Sequence, residues 1–163
     1  MYDEKKDMKG TNIGSDIIQV VTFKLGEEEF VIEILKVQEI NRMTEITKVP
    51  KLPEFVEGVI NLRGKIIPII DIRKRFNMPK IDFTRYTRII VVDLDVTVVG
   101  LIVDVVSEVL RLPLDNIEPP PLLESGVGPE YIRGVCKMDN RLLIFLDLSK
   151  VLNLQERMVL SER

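Results

Sequence analysis

Histidine is missing from the 163 residues, tryptophan is missing too, and cysteine occurs once, as Cys136. Without histidine the usual general base near neutral pH and the commonest metal ligand are gone. So are Ser-His and Cys-His nucleophile pairs. Carboxylate or lysine catalysis stays open in principle, but no reactive constellation accompanies it, so no enzyme, metal or cofactor is expected and binding becomes the better question. A single cysteine rules out an intrachain disulfide and a Cys-rich metal site. Aromatics are scarce at 6%, no long basic run appears, and the formal net charge is -3. Nonspecific nucleic-acid or anionic-membrane binding needs a positive field, which this balance does not supply. An oligonucleotide-binding double β-barrel would need a basic face with exposed aromatics, and is the alternative from another class. No apolar run approaches the ~18 residues of a membrane helix. The opening MYDEKKDMKGTNIGSD lacks the apolar core of a secretory signal, so a cytoplasmic protein is expected. Residues 1–16 read as a flexible polar tail.

What the chain does have is a repeat. FVEGVINLRGKIIPIIDIRKRF, from Phe55 to Phe76, returns as YIRGVCKMDNRLLIFLDLSKVL, from Tyr131 to Leu152. Without a gap, Gly58-Val59 falls on Gly134-Val135, Lys65 on Arg141, Asp71 on Asp147 and Lys74 on Lys150. Each copy reads as strand, tight turn, strand and helix start, with Arg63-Gly64 and Asp139-Asn140 in the turns. Asp71 and Asp147 cap helices rather than form a catalytic pair. A weaker match sets Val37 on Val106, Leu25 on Leu94 and Phe30 on Val99.

The remainder divides into short strands. Ile17 to Leu25 and Phe30 to Ile34 form a hairpin around Gly26. Leu35 to Ile40 reads as a helical turn passing into a strand. Arg88 to Leu94 is an apolar strand. Thr97 to Val109 is a long β-branched run in which Gly100 marks a bulge or a close backbone approach. Leu112 to Pro129, with Pro119-Pro120-Pro121, is a long loop and stiff connector. From Leu148 onward one amphipathic helix continues to the end of the chain. About five short strands per repeat suit two small barrels, with a groove between them as the natural binding place. Cys136, in a strand among apolar neighbours, reads as a buried inert thiol. Gly58, Gly64 and Gly100 lack the spacing of a phosphate cradle.

Two charged residues stay open on spacing alone. Arg63, on a turn tip, is either a solvated charge or a guanidinium held for a forked contact with a partner. Glu39, beside Val37 and Ile40, is either a solvated face or the rim of an apolar patch.

LGEEEFVIEILKVQEI, FVEGVINLRGKIIPIIDIRKRF and VGLIVDVVSEVLRLP together resemble the CheW family of bacterial chemotaxis coupling proteins, over about Ile17 to Leu154. The resemblance implies a mainly β fold of two five-stranded SH3-like barrels, interleaved over residues 17–154, with short helices and a C-terminal helix ending in 155–163. It implies a non-catalytic adaptor. Its partners would be the hairpin tip of chemoreceptors, held in the groove between the barrels, and the regulatory domain of the histidine kinase CheA, held through barrel ends. The receptor positions match Val37, Glu39 and Arg63, while Gly58 and Gly64 match glycines shaping the same wall and Gly100 a glycine of the second barrel. With no room for a kinase core or receiver domain, a stand-alone member is expected, recruited from the cytoplasm to receptor arrays and open to self-association there.

Overall fold

The computed structural model describes residues 16–120 and 127–161. Most of the expected N-terminal tail and the end of the proline run therefore lie outside the described residues. Eleven strands run in chain order: β1 (Ile17–Leu25), β2 (Glu28–Glu33), β3 (Val37–Arg42), β4 (Val56–Leu62), β5 (Lys65–Asp71), β6 (Arg88–Asp93), β7 (Val98–Val103), β8 (Val105–Pro113), β9 (Ile117–Glu118), β10 (Ile132–Met138) and β11 (Arg141–Leu146). Three short helices are α1 (Ile72–Arg75), α2 (Leu148–Val151) and α3 (Leu154–Ser161). The two subdomains are two sheets, ordered β8-β1-β2-β11-β10-β9 and β3-β6-β7-β5-β4.

The repeats exchange strands. The hairpin β1-β2 joins β8 to β11, while the equivalent hairpin β6-β7 joins β3 to β5. Each sheet has one parallel seam, β2 with β11 and β7 with β5, where the borrowed hairpin meets its host. Irregularities repeat as well. Between β3 and β6 one extra residue, Gln38, interrupts the register, and its counterpart Ser107 does the same between β8 and β1. Glu57 and Arg133 are the matching extra residues of β4 and β10. Such bulges increase twist and curl a sheet.

Neither ladder closes fully into a barrel among the described residues. The curl instead brings chain from beyond the first edge strand against the last. After β3, Thr47 bridges to Val59 of β4, and after β8 the two-residue β9 pairs with β10. Gly58 and Gly134 permit this approach. A Cβ on Gly58 would stand 2.5 Å from the Thr47 carbonyl oxygen, and one on Gly134 2.7 Å from that of Glu118.

Each sheet wraps its own apolar cluster. One centres on Val20, Val31, Leu143 and Phe145, the other on Ile60, Ile67, Ile69 and Ile89. The largest cluster lies between the sheets and draws on both. Through it Phe23, Phe30, Phe76 and Tyr131 form a ring-to-ring chain with centroid separations of 5.7, 6.1 and 5.1 Å. The two halves are thus one body held by apolar burial, the term that scales with area removed from water.

Two expectations need correction. The run from Thr97 to Val109 does not break at Gly100, which sits mid-strand opposite Ile69 and Val91. A Cβ there would meet Ile69 and Ile89 side chains at 2.7 Å, so the close approach is real and the bulge is not. The break falls at Asp104, where the chain crosses from one sheet to the other. The C-terminal helix is also two helices. Asn153 interrupts it and caps the second: its Oδ1 accepts from Glu156 N at 2.8 Å, while Glu156 Oε1 accepts from Asn153 N at 3.0 Å. That reciprocal pair is a capping box, which starts a new helix instead of extending the old one.

Candidate partner-binding site

Glu39 and Arg63 come together. They lie 24 residues apart, on β3 and in the β4-β5 turn, and the Arg63 guanidinium donates to the Glu39 carboxylate. The turn is built for this. Arg63 and Gly64 both take positive φ, 53° and 86°, and Asn61 Oδ1 accepts from Gly64 N at 2.9 Å. The Asx contact and the glycine fix a tight hairpin. Arg63 remains largely exposed, and its hydrogen bond outweighs partial desolvation to hold the Glu39 carboxyl below its usual range. The guanidinium is therefore not unpaired, and a partner must meet it together with the carboxylate.

Val37 begins β3 and packs, half-buried, against the cluster between the sheets. Just before it, Leu35 is 91% exposed, and two residues beyond Glu39's neighbour Ile40 (40% exposed) comes Arg42. β3 is the outermost strand of its sheet on that side. An apolar and charged strip therefore runs along one accessible edge. Gly58 and Gly100 are buried and act through packing: the first admits the Thr47 carbonyl, the second admits two isoleucine side chains. Of the six residues marked by the sequence, Val37 and Glu39 lie on β3, Arg63 reaches Glu39 from the β4-β5 turn that Gly64 completes, and Gly58 and Gly100 are buried in the packing of the same sheet.

A concavity of about 230 Å³ opens between the sheets, lined by Glu33, Lys36, Asp95, Arg133, Asp147 and Arg157 among others. Its charges largely serve each other: Arg133 Nη1 lies 3.2 Å from Glu33, and Lys36 Nζ 3.8 Å from Asp95. The two helix-opening aspartates act as caps, Asp71 accepting from Arg73 N and Asp147 from Ser149 N, each at 3.0 Å. Burial, the largest influence, raises the Asp71 carboxyl. Among the described residues no group of three or more Cys, Asp or Glu side chains is placed to hold a metal, and no helix is long and apolar enough to cross a membrane. Cys136 is buried, and burial pushes its thiol up.

Sequence reading missed one structural site. Arg73 forks onto both oxygens of Asp104 at 2.9 and 2.5 Å, and also donates to the Pro79 carbonyl at 2.7 Å. Asp104 in turn accepts from Gly26 N at 2.7 Å. The knot ties α1, the β1-β2 turn and the crossing between sheets. Neither residue stands out by spacing, since Arg73 lies in an ordinary run of basic residues and Asp104 in a β-branched one.

The chain is similar to known proteins over most of its length. The model of the CheW-like domain matches residues 19–156. Relatives named chemotaxis protein CheW include that of Klebsiella aerogenes, 38% identical over 149 residues, covering 91% of this chain and 88% of the relative. That of Bacillus subtilis is 35% identical over 138 residues, covering 83% and 86%. Among solved structures, the crystal structure of the scaffolding protein TtCheW from Thermoanaerobacter tengcongensis superimposes with a TM-score of 0.77 at 36% identity, covering 91% of this chain and 96% of that one.

Proposed function

Because the chain belongs to the CheW-like domain family, we propose that it is a chemotaxis coupling adaptor, free of catalytic activity, that links chemoreceptors to the histidine kinase CheA. The observation that carries this reading is the meeting of Glu39 and Arg63 beside Val37 on an exposed sheet edge. These are the positions that the family resemblance marks for receptor contact. A receptor tip is a helical hairpin, and a helix with an apolar stripe can lie in the groove between the two subdomains, with this edge as one wall. Val37 supplies desolvated contact, while the Glu39–Arg63 pair sets register with two opposite charges in known places. The CheA regulatory domain docks elsewhere, on barrel ends, so that one adaptor holds both partners and is drawn from the cytoplasm to receptor arrays. Signal transfer then requires the assembly to favour different kinase states according to receptor state, because a scaffold that binds both states equally shifts nothing.

The test is a titration of the full chain against two purified partners, a chemoreceptor cytoplasmic fragment and the CheA regulatory domain. Both bind the wild type. Arg63→Glu lowers receptor affinity at least tenfold and leaves CheA affinity and the melting midpoint in place, because an exposed turn charge contributes little to folding. Unchanged receptor affinity in the folded variant would remove the edge from the receptor interface. Pairing Arg63→Glu with Glu39→Arg refines the assignment. Recovery by the swap means that the ion pair only orients the turn, and no recovery means that each charge meets the partner separately.

A further inference from the structure

At the far end of the same edge, Arg42 of β3 stands directly opposite Arg88 of β6. Cross-strand partners of like charge repel, so such a pair normally has a carboxylate between or beside it. Here it has none. The Arg42 side chain makes no hydrogen bond or ion pair among the described residues. Arg88 Nη1 donates only to the carbonyls of Arg85 and Thr87, both at 2.9 Å. Arg85, whose backbone carbonyl accepts from Arg88, holds its own guanidinium 4.9 Å over the Tyr86 ring and donates to the ring's hydroxyl at 2.7 Å. The acids nearest in sequence do not relieve the cluster, since Glu39 is engaged by Arg63 and neither Glu45 nor Asp82 pairs with any of the three.

The arrangement is nonetheless ordered. Thr84 and Thr87 lock the preceding turn through Thr84 N to Thr87 Oγ1 at 2.8 Å and Tyr86 N to Thr84 Oγ1 at 3.0 Å. The carbonyl contacts fix one end of the Arg88 fork and leave its other donors available. By the period of two, Arg42 shares a strand face with the exposed Ile40. The two Cα atoms are roughly 6.6 Å apart along a strand, about one turn of a helix lying beside it.

We propose that Arg42 and Arg88, supported by Arg85, form a carboxylate-receiving site, and that the occupant is an acidic stretch of the partner helix on this edge, with an Asp or Glu one turn beyond its apolar stripe. For its partner this rests on the receptor reading above. A guanidinium fork matches a carboxylate bidentately, and a bound carboxylate relieves the repulsion of the arginine pair. Nucleic acid fits less well. The cluster is small, Glu45 and Asp82 flank it in sequence, the whole chain is net negative, and Tyr86 is covered by Arg85 rather than free to stack on a base.

The experiment compares wild type with the Arg42→Glu/Arg88→Glu double variant and with Arg42→Gln, titrating each with the chemoreceptor cytoplasmic fragment at low and high salt. The expected result is at least a tenfold loss of affinity in the double variant at low salt and a flatter salt dependence. CheA regulatory-domain affinity stays unchanged, and Arg42→Gln melts no lower than wild type, because the free chain loses a repulsion. A Glu→Lys change in the fragment's tip restores binding to the double variant. Wild-type affinity in the double variant overturns the proposal while leaving the adaptor reading intact. Failure of the wild type to bind the fragment overturns both. A lowered melting point together with lost CheA binding assigns the arginines to folding, and binding of a DNA oligonucleotide lost in the double variant assigns them to phosphate; either outcome overturns it.

Discussion

Asp104→Ala lowers the stability of the chain by about 3–5 kcal/mol, the range for breaking one half of a buried ion pair. The substitution leaves the Arg73 guanidinium without its paired carboxylate in a site where its side chain is only 10% exposed. It also removes the acceptor for Gly26 N and so loosens the β1-β2 turn. Denaturant titration reads the loss as a lower midpoint with an unchanged slope. Replacing both partners, by Arg73→Met with Asp104→Leu, costs less than Asp104→Ala alone, because no charge is then stranded. The pair also has a pH signature. Burial pushes the Asp104 carboxyl up, but the Arg73 guanidinium and Gly26 N–H outweigh it and hold the carboxyl below its usual range. A carboxylate depressed in the folded state stabilises above its unfolded pKa and loses that contribution as pH falls through the folded one. The pair's contribution is thus complete near neutrality and fades below about pH 4. A wild-type acid limb no steeper than that of the double replacement would contradict this account.

Gly58→Ala has the next largest expected effect, about 2–3 kcal/mol, at the upper end of overpacking costs. The clash is with backbone: the added methyl would sit 2.5 Å from the Thr47 carbonyl oxygen, which itself accepts from Val59 N at 2.9 Å. Relief requires breaking the bridge that folds the first sheet edge onto the last. Gly134→Ala meets the Glu118 carbonyl in the equivalent place, and the same reasoning gives it a similar cost. By contrast, Gly64 has open space around it, so a substitution there is penalised by its φ of 86° and not by packing. The consequence for function is specific. A Gly58 variant that loses receptor binding does so in step with its melting point, whereas Arg63→Glu loses binding without that shift. Thermal melts run beside binding titrations separate the two. Full stability in Gly58→Ala would show that the closure is not as tight as these distances require.

Much of this architecture was legible in the residues. The gapless match of Phe55–Phe76 with Tyr131–Leu152 anticipated two equivalent sheets, and the strand limits of β1 and β4 agree with the β-branched runs that define them. Residues that share a strand or a turn, such as Val37 with Glu39 and Arg63 with Gly64, could be placed together because local geometry dictates it. Pairing between distant segments could not be read in the same way. The opposition of Arg42 and Arg88 and the Arg73–Asp104 fork depend on strand exchange between the repeats, the Glu39–Arg63 ion pair depends on the curl that brings the chain after β3 against β4, and nothing in the periodicity reveals which hairpin joins which sheet or how far a sheet curls. Gly100 was ambiguous for a related reason: a mid-strand glycine signals crowding, but only the neighbouring strands show whether the backbone bends or a side chain fills the space. The helix break at Asn153 was readable from the Asn-x-x-Glu spacing and was masked by the continuous apolar pattern around it.

Coupling is read out by CheA autophosphorylation measured with membrane-embedded chemoreceptors, with and without this chain, as attractant is added. Attractant is expected to control kinase activity only when the chain is present, and Arg63→Glu to abolish control while CheA alone keeps its basal rate. Equal attractant control in its absence, or none in its presence with folded components that bind one another, would contradict the adaptor assignment.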